Sequence, residues 1–157
     1  MKVIFILFNL ILLISANSIA GPYTLKWYNE EKLSDKIELP NKSNFSSFTS
    51  SGIWEDNVGN YGKMKCVISF FTDYKQDIEL TGYCEATDSN KEKFWTKLQR
   101  SSLGIDKGIG KITFLDGTSK YSRLKKISCP YASEWIDDGG IMQIRCKVEL
   151  DIKNLLN

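Results

Sequence analysis

Four cysteines, Cys66, Cys84, Cys129 and Cys146, constrain this chain more than any other feature, because each sits on the apolar phase of a segment whose side chains alternate with a period of two. Met64, Cys66, Ile68 and Phe70 share one face of the first segment, and Ile78, Leu80, Cys84 and Ala86 share one face of the second. The turn-forming residues Thr72-Asp73-Tyr74-Lys75-Gln76 lie between them, and a hairpin centred on Lys75 sets Cys66 opposite Cys84. The pattern repeats in Ile127, Cys129 and Tyr131, then Asp137-Asp138-Gly139-Gly140, then Met142, Ile144, Cys146, Val148 and Leu150. A hairpin centred between Asp137 and Asp138 opposes Cys129 to Cys146. Directly opposed residues of a non-hydrogen-bonded antiparallel pair have Cα atoms about 4.5 Å apart, within disulfide reach. The spacing therefore predicts Cys66–Cys84 and Cys129–Cys146 bridges, with bridges between the two hairpins as the alternative in a closed barrel whose cysteines face one core. A Cys-four zinc site is set aside because the tight C-x-x-C knuckles that such sites use are missing.

An even number of cysteines belongs to an oxidising compartment, and the start of the chain agrees. Met1-Lys2 precedes an apolar run over residues 3–14, and a polar stretch follows with Ser18 and Ala20 at the minus-three and minus-one positions of a cleavage site before Gly21. The apolar run is broken by Asn9 and is shorter than the roughly 20 residues that span a bilayer. The expectation is a signal peptide over residues 1–20 and one domain over 21–157, secreted or periplasmic, with no stable membrane insertion after cleavage.

Within that domain, residues 21–62 read as polar and irregular, with one strand over 23–28 and a Ser/Asn-rich stretch over 41–51. Asn41-Lys42-Ser43 and Asn44-Phe45-Ser46 match the acceptor pattern for N-glycosylation, which matters only in a eukaryotic secretory pathway. Beyond residue 62, strands are predicted over 63–71, 77–87, 91–98, 110–115, 120–124, 127–131 and 141–150, separated by turn clusters. Segment 91–102 also fits a short helix through Glu92, Trp95, Leu98 and Gln99, but Phe94-Trp95-Thr96 favours a strand. No long helical periodicity is present, so the predicted fold class is all-β, a small antiparallel barrel or sandwich.

The segment Gly117-Thr118-Ser119-Lys120-Tyr121 resembles the glycine-rich strand-turn-strand signature of allene oxide cyclase and dirigent type β-barrels. Gly117, Thr118, Lys120 and Tyr121 match it, whereas Asp116, Ser119 and Arg123 replace its glycines. The resemblance implies a barrel. None of that family's catalytic or substrate-binding positions falls on a matching residue of this chain.

The chain has no histidine, which excludes Ser-His-Asp and Cys-His catalysis and every histidine metal ligand. Basic and acidic residues nearly balance and are scattered, so no nucleic-acid footprint exists; Arg123, Lys125 and Lys126, the nearest cluster, read as a solvated strand face. Asp88, Asn90 and Glu92 are spaced like the start of a calcium loop. The sixth-position glycine is missing and Gln99 stands at the closing position, so a polar hairpin turn is the better reading and neither metal nor cofactor is expected. The carboxylate clusters are Glu85 with Asp88, and Glu134 with Asp137 and Asp138. The second group belongs to a turn, where aspartates bond nearby backbone.

Aromatic residues carry the remaining signal. Trp54, Tyr83, Trp95, Tyr131 and Trp135, with Glu85, form the candidate ligand-binding set for a small apolar molecule, a sugar or a protein partner. Tyr83 alternates out of phase with Cys84, together with Glu79, Thr81 and Glu85, and so belongs to the polar face. The leading expectation is a non-catalytic barrel that binds a small ligand or partner. One alternative is a cyclase or isomerase barrel with Glu85 as its buried carboxylate; the other is a structural protein acting through surface loops.

Overall fold

A computed structural model describes residues 21–104, 106–136 and 139–157. Its strands are β1 (Tyr23–Glu38), β2 (Asn44–Asp56), β3 (Tyr61–Thr72), β4 (Asp77–Asp88), β5 (Lys93–Leu103), β6 (Lys107–Gly117), β7 (Ser128–Ile136) and β8 (Gly139–Cys146). Each pairs antiparallel with its neighbours in sequence, and β1 closes the barrel against β8 from Tyr23↔Cys146 to Glu30↔Gly139. A 3-10 helix (Ser119–Leu124) joins β6 to β7, and the helix α1 (Leu150–Leu155) follows β8. The signal-peptide segment 1–20 and the turn residues Asp137 and Asp138 lie outside the described residues.

The hairpin registers follow the alternation. Cys66 pairs with Cys84 in the β3–β4 ladder, and the β7–β8 ladder runs in the register that opposes Cys129 to Cys146. Both disulfides form within their hairpins, with Cα separations of 4.0 and 4.8 Å, and all four cysteines are buried. Bridges between hairpins are thereby ruled out. Of the segment 91–98, residues 93–98 are strand, inside β5, while Lys91 and Glu92 belong to the turn before it.

Three expectations need correction. Residues 21–62 are not irregular, because they hold the two longest strands, β1 and β2. Only Tyr23, Leu25 and Trp27 show clear apolar alternation in β1. Past Asn29 the β1–β2 hairpin becomes polar and largely exposed, so its strands carry no two-residue signature and are held by cross-strand pairing up to Glu38↔Asn44. Segment 120–124 is not a strand but the 3-10 helix, whose three-residue repeat buries Tyr121 and Leu124 together. The Gly117–Tyr121 stretch accordingly runs from the end of β6 into that helix. Finally, the strand expected over 141–150 stops at Cys146, and Leu150 begins α1.

This up-and-down order gives the barrel two unlike ends. The turns within the hairpins β1–β2, β3–β4, β5–β6 and β7–β8 lie at one end; both described termini, the 3-10 helix and α1 lie at the other. An eight-stranded barrel is about wide enough for its own side chains to fill. Trp54, Phe94, Phe114 and Tyr121 do so at the helix end, with ring centroids 5.0 Å apart for Trp54 and Phe94 and 5.1 Å for Phe94 and Tyr121.

Candidate functional site

At the helix end, a polar network seals what the rings fill. Asp88 Oδ1 accepts the backbone N–H groups of Asn90 and Glu92, so the Asp88-Asn90-Glu92 spacing is that of a hairpin turn. Asp88 Oδ2 accepts from the Tyr121 hydroxyl at 3.1 Å and lies 3.4 Å from Lys120 Nζ. Lys120 also donates to Asn60 Oδ1 at 2.6 Å. Asn60 Nδ2 donates to Asp56 and to the Leu156 carbonyl, which ties the C-terminal segment down, and the Tyr23 hydroxyl donates to Asp56 as well. Burial, reinforced by the neighbouring aspartates, pushes the Tyr23 and Tyr121 phenols well above their ordinary range. Trp54 belongs to this plug, packed on the rings of Phe94 and Tyr121. Among the described residues, no group of acidic or cysteine side chains could hold a metal ion.

Three candidate residues meet on the outside of the barrel. Tyr83, Glu85 and Trp95 line a shallow groove of about 430 Å³ over β3–β6, together with Val67 and Leu115. Trp95 Nε1 and Lys93 Nζ each donate to Glu85 at 3.0 Å, holding its carboxyl below the usual range. Lys97 Nζ stands 5.9 Å from the Tyr83 ring centre. Glu85 is therefore a surface carboxylate and not the buried one expected of a cyclase, for the reason that puts Tyr83 outside: both alternate out of phase with Cys84.

The turn end holds the remaining candidates, Tyr131 and Trp135, and they line a cavity inside the barrel. Its free volume is about 20 Å³, room for a single water or the leading atom of a ligand. Glu31, Asn29, Arg100 and Ser133 line the same cavity. Arg100, only 5% exposed, donates through Nη1 to Ser133 Oγ at 3.0 Å and through Nη2 to the Gly104 carbonyl at 3.3 Å. Asn29 Nδ2 donates to Ser50 Oγ at 2.7 Å. Tyr131 OH and Trp27 Nε1 are buried and have no hydrogen-bond partner among the described residues. Trp54 Nε1 shares that condition at the helix end, packed among the rings of Phe94 and Tyr121.

Burial sets the electrostatics of this end. It lifts the Glu31 carboxyl to about 7 against the opposing pull of Arg100, and the Tyr131 phenol to about 12. It also lowers the Arg100 guanidinium from its ordinary value. Two glycines of β6 make room for these groups. A Cβ on Gly108 would come within 2.9 Å of the Arg100 side chain, and one on Gly110 within 2.4 Å of the Tyr131 ring.

Glu31 and Arg100 were not among the residues singled out by sequence. Arg100 left a readable signal, since it continues the buried phase Phe94, Thr96, Leu98 of β5, where a charged side chain has no ordinary reason to stand. Glu31 left none, because the polar hairpin around it conceals which face is inner.

The molecule is thus defined as an eight-stranded closed antiparallel barrel, plugged at one end and holding a charged, donor-rich cavity at the other. No protein-family model matches the chain, and no curated protein sequence matches it. Among solved structures, it is similar to that of an enzyme from Penicillium herquei, with a TM-score of 0.52 and 13% identity over 83% of this chain and 99% of that one. At that identity the likeness shows the shared fold.

Proposed function

We propose that the turn end of the barrel is a small-ligand site and that the protein is an exported, non-catalytic binding protein. The observation that carries this is the contrast between the ends: one is closed by packed rings and a tied network, while the other keeps buried donors facing a cavity. Buried polar groups are nearly always paired, and a ligand acceptor reaching Tyr131 OH or Trp27 Nε1 would pair them. Export is supported by the residue pattern at 1–20 and by two disulfides, which suit an oxidising environment outside the cytoplasm. Titration with a panel of neutral apolar compounds and sugars tests the reading, because Trp27 and Trp135 line the cavity and report on it. A binder is expected to change tryptophan fluorescence and to raise the melting temperature with concentration. Silence in both signals across the panel would defeat the reading and leave surface interaction, through the groove at Tyr83 and Trp95, in its place.

A second reading, a cyclase or isomerase barrel, has one observation in its favour: a half-buried carboxyl near 7, Glu31, shares the cavity with the Arg100 cation. The fold neighbour is itself described as an enzyme. Chemical conversion of a bound compound that stops in Glu31→Gln would establish this reading over simple binding.

A further inference from the structure

The alternation that buries the first disulfide also composes the outer wall above it. Cys66, Cys84 and Thr96 are opposed across β3, β4 and β5 and face inward, so the residues on either side of each face out. Two outer rows result: Lys65–Glu85–Trp95 and, one step nearer the turn end, Val67–Tyr83–Lys97. Val67, Tyr83 and Leu115 are exposed, and with Trp95 they give the groove an apolar floor open to water. Both rings are already held. Trp95 Nε1 is tied to Glu85, and Lys97 Nζ stands over the Tyr83 ring. Held rings lose little further freedom when a ligand stacks on them.

Charge narrows what that ligand is. Glu85 is the one carboxylate lining the groove, and Lys93 already pairs with it. Asp116, opposite Trp95 in the β5–β6 ladder, pairs with Lys125. Lys65 and Lys97 form no ion pair among the described residues. The groove therefore carries surplus positive charge at two opposite corners, two strands and two residues apart, which is roughly 12 Å between Cβ positions.

An open groove on a convex wall cannot enclose an apolar compound, which pockets hold by burying most of its surface. A sugar ring needs less enclosure. Its apolar face stacks on an aromatic one while its hydroxyls stay in water or bond the rim, where the Tyr83 hydroxyl and the Glu85 carboxylate stand. Single-stranded nucleic acid also stacks, but it brings a phosphate with every base and is followed by a continuous basic track rather than by two corner lysines. We infer that the outer wall over β3–β6 is a second binding site, which takes an acidic saccharide by stacking on Tyr83 and Trp95 and by pairing its carboxylates with Lys65 and Lys97. This site shares no lining residue with the turn-end cavity, so neither depends on the other.

Calorimetric titration of the intact, disulfide-bonded protein with trigalacturonate, with its methyl-esterified form and with a short oligothymidylate tests the inference. Trigalacturonate is expected to bind about fivefold or more tightly than the ester, an advantage that shrinks as salt is added. Lys65→Gln combined with Lys97→Gln should erase the difference between acid and ester. Tyr83→Ala should weaken both by about fivefold. All three positions lie on the outer face, so thermal melts close to that of the native protein are expected to accompany these losses. Tyr131→Phe, inside the turn-end cavity, should leave trigalacturonate binding unchanged. Equal binding of acid and ester would overturn the inference, as would tighter binding of the oligothymidylate. Loss of binding in Tyr131→Phe with retention in Tyr83→Ala would move the saccharide to the turn end and remove the outer site. An absence of heat up to about 10 mM trigalacturonate would also defeat the inference and leave the turn-end reading untouched.

Discussion

The two ends of this barrel are built from the same materials and reach opposite results. Each contains a buried or half-buried carboxylate, a cation and a tyrosine: Asp88, Lys120 and Tyr121 at the helix end, Glu31, Arg100 and Tyr131 at the turn end. At the helix end every member touches another, and packed rings stand behind them. At the turn end the charges share a cavity, and the tyrosine hydroxyl has no partner among the described residues. The difference teaches that polar composition does not mark a site, and that an unpaired donor does so only beside open space: Trp54 Nε1 is unpaired too, but rings pack around it. A network whose members pair with one another stabilises structure, whereas one that leaves donors facing space has capacity for something else.

The comparison breaks most visibly at the plug. Trp54→Ala removes a fully buried ring that packs on Phe94 and Tyr121, and an expected loss of about 3–5 kcal/mol in urea unfolding would leave ligand affinity at the other end unchanged while the protein is folded. A change in that affinity as large as the change in stability would mean that the ends are not independent. Gly110→Ala sets a methyl 2.4 Å from the Tyr131 ring and 2.6 Å from the Gln99 carbonyl oxygen. Its expected effect is a destabilisation of about 1–3 kcal/mol together with weakened ligand binding at the turn end, which titration of the purified variant would show.

Glu31→Gln sharpens the contrast through pH. Burial raises the folded carboxyl from 4.5 to about 7, so between those values the unfolded chain has released a proton that the folded chain still holds. Stability of the native protein therefore falls as pH rises through that window and is level above it. The Gln variant escapes this loss. It is expected to match the native protein below about pH 4.5 and to exceed it by about 1 kcal/mol above pH 7, a figure already reduced for the partial exposure of the side chain. Equal stability of the two proteins across the range would show that Glu31 is well solvated. The smallest effect belongs to the outer groove, where Glu85→Gln loosens only exposed bonds to Lys93 and Trp95. A change within about 0.5 kcal/mol and undisturbed ligand binding at the turn end are expected there.

Much of the architecture was legible before any coordinates. Cys66 with Cys84 and Cys129 with Cys146 could be paired because a hairpin is local: alternation gives the face, the turn gives the centre, and together they give the register. The aromatics were only partly legible. Tyr131 and Trp135 reach the cavity, but Trp54 became the plug and Tyr83 and Trp95 the outer surface, because alternation tells which face a residue takes and not which end of a barrel it occupies.

The sequence by itself determined the all-β class and the registers of the two cysteine hairpins, and it favoured the bridges within them, all of which depend on residues near one another along the chain or on a period of two; the structure excluded the bridges between hairpins. Only the tertiary structure decided that β1 closes against β8, that the segment around Tyr121 turns inward as a plug, and that Glu31 and Arg100 face one cavity. The physical reason is that closure joins strands remote in sequence, and a side chain's burial and charge environment depend on those remote neighbours rather than on its own local pattern.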